Sequence, residues 1–241
     1  MSQNQKHWNS TALVLLGRWL WEQGEYGHGL LCMHAPFWGL KIGTQLKVSW
    51  DDVMDTEDGL CRGEVIIADK DIASRPLSVY LIDTILEAYA KLPVSNTDDT
   101  MYMNYKTGKP LTSSTLNREL QRLSEKFLEY IKAETNLELN YKPLKTNAFE
   151  IAWALDMVAK YHYSKQVFSA VSDHMGHRTI KDTIQLLEVE PNETIIFDFD
   201  NVKGISKVMN SEIFKSKEAL TEFVFSKMVQ ETRDSDFTTI L

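Results

Sequence analysis

Apolar residues recur at helical spacing over residues 11–23, where Leu13, Leu16, Leu20 and Trp21 share one face and Gly24 supplies a stop. A second helix is expected from Leu30. The period then changes: residues 46–50, 64–67 and 77–80 are short β-favouring runs separated by Asp- and Gly-rich turns, which predicts a small antiparallel sheet. Helical spacing returns over residues 81–92, then over 113–132, with Leu116, Leu120, Leu123 and Phe127 on one face. It continues over 148–161, 166–175 and 179–189, with Gly176 between the last two. A Gly-Lys-Pro turn signal stands at residues 108–110, and a further helix is expected over 215–229. The pattern is that of a mainly α chain with a small antiparallel β-sheet, an α+β class.

Composition narrows this reading. With 241 residues, 43% hydrophobic and 25% charged, the chain can fill one large core or two small ones, and disorder throughout is not expected. The 34 Asp+Glu against 26 Lys+Arg give a net charge of -8, unlike the basic footprint of a dedicated nucleic-acid module. Charge is uneven, however. Residues 51–69 hold seven acids and one Arg, residues 105–126 five bases and two acids, and residues 142–181 six bases and three acids. A globally acidic chain can still present a basic face. Cys32 and Cys61 form no Cys-x-x-Cys pair, so a reduced, cytoplasmic protein is expected, without a disulfide framework. The apolar run from Leu13 is broken by Arg18, Glu22 and Glu25, so neither a signal peptide nor a membrane span is expected.

Five segments stand in an order that adds a further expectation. They are residues 39–53 (Gly-Leu-Lys-Ile-Gly-Thr-Gln-Leu-Lys-Val-Ser-Trp-Asp-Asp-Val), Lys70 with Arg75 and Leu77, residues 105–123, Lys142-Pro-Leu-Lys145, and residues 175–183 (Met-Gly-His-Arg-Thr-Ile-Lys-Asp-Thr). Together they resemble the catalytic domain of tyrosine recombinases, the phage integrase family, over about residues 11 to 190. The family's Gly-Leu-Arg-Ile turn, hairpin lysine, His-x-x-Arg motif and Leu-Gly-His-Ser-Ser-Ile-x-x-Thr box match them in turn.

The resemblance implies attack by a tyrosine phenolate on a DNA phosphodiester. Two arginines would clamp the phosphate, a lysine and histidines would assist proton transfer, and no metal or nucleotide cofactor would be needed. Carried over, the first arginine position is Lys41, the hairpin lysine is Lys70, the His-x-x-Arg pair is Lys142 and Lys145, the box histidine is His177, and the nucleophile position is Leu186. None of the nine tyrosines, at 26, 80, 89, 102, 105, 130, 141, 161 and 163, lies beyond His177. Leucine has no ionisable group, and lysine keeps charge without arginine's planar fork. A member that has lost strand cleavage is therefore expected.

Bland readings stand beside these. Lys41, Lys142 and Lys145 could be solvated surface lysines, and Lys70 could keep a strand edge soluble. Lys142 gains from Pro143, which suits the first position of a helix, where anions are attracted. His177 reads as a structural helix-cap residue, and His174 with His177 lacks a third metal ligand. Arg118, Arg122 and Lys126 form a stripe opposite the apolar face of their helix and are candidates for DNA backbone contacts. The six tryptophans read as core anchors.

The expected organisation is a recombinase-like domain over residues 1–190, without the family's N-terminal clamp domain, followed by a 191–241 extension. That extension could pack on a neighbouring protomer or fold back over the site. The expected partners are DNA, an active recombinase, or a second copy through the extension. The alternative is a structural or interaction module without DNA binding. A third reading, strand transfer from Tyr161 or Tyr163, would require a rebuilt site. A continuous positive cleft through Lys41, Lys70, Lys142 and Lys145 would favour DNA, and acids within it the interaction module.

Overall fold

Helix α1 (Ser10–Glu22) begins where the Asn9 side chain accepts the Ala12 N–H at 2.8 Å. It buries Leu13, Leu16, Gly17 and Leu20 against α2 (Tyr26–Trp38). The computed structural model to which these elements belong describes residues 5–55, 58–68 and 72–189, residues 66–68 and 72–75 by backbone alone. Lys70 and the expected 191–241 extension, with its helix over 215–229, lie outside the described residues.

The second helix starts at Tyr26, earlier than the apolar pattern implied. Gly27 and Gly29 look like breakers in sequence, but they sit where α2 meets other backbone. A Cβ on Gly29 would stand 2.8 Å from the Gly17 carbonyl oxygen, and one on Gly17 2.6 Å from Met33 Cγ. Gly17 and Gly29 let α1 and α2 approach closely, while Gly27 meets the Met103 backbone of the later chain, and that packing outweighs their poor helix propensity.

Residues 46–50 do not form the expected strand. Helix α3 (Ile42–Gln45) runs into a turn, and only Ser49 makes an isolated bridge, to Thr100. Asp52 closes the turn by accepting the Ser49 N–H at 2.8 Å and its hydroxyl at 2.9 Å. Val48 and Trp50 are still buried, so the alternation that looked like a strand seats two anchors from a turn. Residues 77–80 also depart from β: Ser78 caps α4 (Val79–Lys91), its hydroxyl accepting the Leu81 N–H.

Instead of one sheet, the described residues form three separate antiparallel pairs. These are β1 (Met54–Asp55) with β2 (Leu60–Cys61), β3 (Glu64–Ala68) with β4 (Ile72–Pro76), and β5 (Met103–Asn104) with β6 (Lys109–Pro110). The class is mainly α with minor antiparallel β.

Helix α5 (Ser113–Thr135) buries Leu116, Leu120, Leu123 and Phe127 and leaves Arg118, Arg122 and Lys126 exposed. Helices α6 (Asn147–Lys160), α7 (Lys165–Met175) and α8 (Ile180–Leu187) follow. Two hydrophobic clusters result. The larger joins α1, α2, α4 and α5 around Trp8, Trp38 and Trp50, and the smaller comprises Ile151, Ala154, Val158, Phe168, Val171, Met175 and Leu187. Helix α6 serves both, giving Ala148, Phe149 and Ala152 to the first.

A polar chain crosses the larger cluster. Thr84 Oγ1 donates to the Leu81 carbonyl at 2.9 Å, which leaves it to accept from His34 Nε2 at 3.0 Å. Full burial, with Arg18 nearby, pushes the His34 imidazole down to about 3, so it is neutral at pH 7.

Candidate functional site

Gly39 ends α2 in the left-handed region, φ 60°. A side chain there would be strained, and it would also collide with Trp153, since a Cβ would stand 2.5 Å from that ring. Trp153 in turn lies against His174, ring centroids 4.2 Å apart, and His174 Nε2 donates to the Gly39 carbonyl at 2.6 Å. The end of α2 is thus fixed to α6 and α7, and Lys41, two residues on, is held with it.

Gly176, also left-handed at φ 70°, ends α7, and a Cβ on it would meet Lys41 Nζ at 3.7 Å. The Lys41 ammonium therefore stands over the turn that carries His177. There the His177 N–H donates to the Ser172 carbonyl at 2.9 Å, and its Nδ1 pairs with Thr183 Oγ1 at 2.8 Å.

Glu150, in the first turn of α6, faces this group. Burial raises its carboxyl pKa, against the opposing pull of Lys41, His174 and His177. Its Oε1 is buried and has no hydrogen-bond partner among the described residues. Lys41 and His177, far apart in sequence, thus meet around a half-buried acid.

Lys145 stands just before the start of α6, and the helix that carries Arg118 is tied to the same end. The Lys145 carbonyl accepts the Ala148 N–H at 2.9 Å, and the Thr146 N–H donates at 2.8 Å to Asn117 Oδ1, the neighbour of Arg118. Both Lys145 and Arg118 are exposed. Arg122 turns elsewhere. Against burial, which raises it, the Glu25 carboxyl is held below its usual range by Lys106, His28 and Arg122.

Lys142 is placed differently from the sequence expectation. Helix α6 begins at Asn147, so Pro143 is in the preceding loop and not at a helix start. The backbone fixes Lys142 instead: its N–H donates to the Lys6 carbonyl at 2.9 Å, and its carbonyl accepts Trp8 Nε1 at 2.8 Å. Its ammonium lies 2.6 Å from Glu188 Oε1 and 2.9 Å from His7 Nε2. Burial, with Lys142 adding to it, depresses the His7 pKa, and the ring also hydrogen-bonds the Leu186 carbonyl. Neutral His7 with its proton on Nδ1 satisfies both contacts.

Leu186, which the resemblance sets at the nucleophile position, is half-buried against the smaller cluster. Its helix, α8, carries a capping box between Thr179 and Asp182. Eight residues span about 12 Å, so Lys41 and Lys142 stand near opposite ends of α8. An acid thus accompanies each of these two cations, Glu150 beside Lys41 and Glu188 beside Lys142.

Glu150, His7 and Glu188 escaped the sequence reading. His174 was visible only as a neighbour of His177, whereas its structural role is to seat Gly39 and Trp153. Among the described residues, no group of three or more His, Cys, Asp or Glu could hold a metal ion, and no helix is long and apolar enough to cross a membrane.

No protein-family model matches the chain, and no curated protein matches it. Among solved structures, the chain is similar to XerA recombinase at 10% identity and TM-score 0.47, covering 94% of this chain and 65% of that one. It is also similar to the Tn1549 transposon integrase in complex with circular intermediate DNA, at 14% identity and TM-score 0.47, covering 85% of this chain and 66% of that one. The chain spans just under two thirds of the length of these two structures.

Proposed function

We propose that this chain is a recombinase-type domain that has given up strand cleavage and acts by binding the DNA backbone, alone or as an accessory to an active recombinase. The observation that carries the proposal is that Lys41 faces Glu150 in the first turn of α6, where Lys145 precedes the helix and Asn117, beside Arg118 on α5, is tied to Thr146. Lys41, Lys145 and Arg118 come from three of the five segments that resemble tyrosine recombinases. No side chain caps α6, so its N-terminal dipole adds to the field of the three cations. Phosphate is the chemistry that such a surface attracts.

Cleavage is a separate matter. Leu186 offers no nucleophile, and lysines at Lys41 and Lys145 attract a phosphate without imposing the bidentate geometry that its transition state needs. A DNA strand nicked to trap covalent intermediates is expected to give no protein–DNA adduct, and recovery of one would refute the loss of cleavage. In fluorescence anisotropy, duplex DNA is expected to bind with an affinity that falls steeply with salt, because phosphate contacts release counterions. The triple variant Lys41→Gln, Arg118→Gln, Lys145→Gln should flatten that slope. Wild-type protein that does not bind at low salt would overturn the proposal.

One observation favours an interaction module without DNA binding: Glu150 and Glu188 lie among the cations of a chain that carries -8 overall. Salt dependence separates the two readings.

A further inference from the structure

We infer that Glu188 is an internal stand-in for phosphate: its carboxylate holds Lys142 out of the DNA-binding surface until DNA displaces it. This inference rests on the DNA-binding reading above and concerns its regulation.

Three strands of geometry support it. First, Lys142 is positioned as a ligand-binding lysine would be, with its N–H and carbonyl tied to Lys6 and Trp8, so that the side chain alone is left to move. Second, the group it meets is an oxyanion. Glu188 Oε1 lies 2.6 Å from Nζ, and Oε2 lies 3.5 Å from His7 Nε2. A carboxylate at that distance presents to an ammonium the same oxygen contact that a non-bridging phosphate oxygen would. Third, Glu188 occupies the C-cap of α8 in the left-handed region, φ 58°, where glycine is the unstrained choice. The backbone there directs a carboxylate towards a lysine far away in sequence.

The contact is also weak enough to yield. The Lys142 side chain is 33% exposed and that of Glu188 59%, so water competes for both, and an exposed pair of this kind contributes little to stability. On the DNA-binding reading, a DNA phosphate brought beside Lys142 competes with Glu188 for the ammonium. Displacement would free the Lys142 ammonium to contact a phosphate at its own end of α8, beyond the group around Lys41, and would leave Glu188 without its partner.

The test is a double-mutant cycle on Glu188→Gln and Lys142→Gln, read by anisotropy with a fluorescent DNA duplex. Glu188→Gln is expected to tighten binding about fivefold, and the gain should vanish when Lys142→Gln is already present. An equal gain in both backgrounds would be a general charge effect and would overturn the inference. DNA binding unchanged by Glu188→Gln would overturn it too, while leaving the DNA-binding reading intact. Failure of every variant to bind DNA would remove both. A second measurement needs no DNA: Glu188 raises the His7 pKa, so Glu188→Gln should lower it further by NMR titration. A His7 that titrates identically in both proteins would mean that the contact does not form, and would overturn the inference.

Discussion

Around α1 and α2 the backbone itself closes the gap between elements, Gly17 meeting Gly29, and a fully buried imidazole is satisfied within the core. Around α7 and α8 the contact is made by seven buried side chains, and the imidazoles His174 and His177 lie at the margin. The first cluster is a scaffold with little room for change. The second is smaller, edged by ionic groups, and carries His177 and Leu186. His177 and Leu186 border this smaller cluster, which is expected to open more easily than the first, since local stability varies across a domain.

The most forceful way to break this comparison is Phe168→Ala, which empties the centre of the smaller cluster. A loss of about 3–5 kcal/mol is expected. Amide exchange should accelerate in α7 and α8 and stay slow in α1 and α2; uniform acceleration would show that the two clusters open as one.

Next in size is an acid effect from the scaffold. His34 has a native pKa of about 3, below its unfolded value near 6.5. Below pH 6.5 the unfolded chain takes up a proton that the native protein refuses, so stability falls as pH falls and rises with pH across the 3–6.5 window. The slope from this group is about 1.4 kcal/mol per pH unit. Urea unfolding of wild type and His34→Leu at a series of pH values should show the slope reduced by that amount in the variant. Equal slopes would remove the distinction between buried and marginal imidazoles.

The smallest effect is Gly17→Ala, whose new methyl would meet Met33 Cγ and the Gly29 carbonyl. Overpacking should cost about 2 kcal/mol in urea unfolding, whereas Gly43→Ala, with nothing within 4 Å of the added atom, should be close to neutral. Equal effects at both positions would mean that α1 and α2 are not in contact through backbone.

Much of this architecture is legible along the chain because helical periodicity reports burial, as Leu116, Leu120, Leu123 and Phe127 do on α5. Local reading fails where burial and conformation part company. Val48 and Trp50 alternate like strand residues yet anchor a turn, and Gly29 looks like a breaker yet supports a helix crossing. The candidate site divides in the same way. Lys41, Lys145, Arg118 and His177 were marked by ordered segments, whereas Glu188 and His7 reach Lys142 from the two ends of the described chain. Nothing in local sequence foretells a carboxylate opposite a lysine across such a separation.

Helix α6 gives alternate faces to the two clusters and its first turn to the cations. An anion bound there is therefore linked thermodynamically to both halves at once: its affinity would appear in calorimetry as a shift of the whole heat-absorption profile, not of one shoulder. Conversely, if an anion binds there as proposed, a partner that loosened the smaller cluster through this shared helix would lower the anion's affinity, by reciprocal coupling.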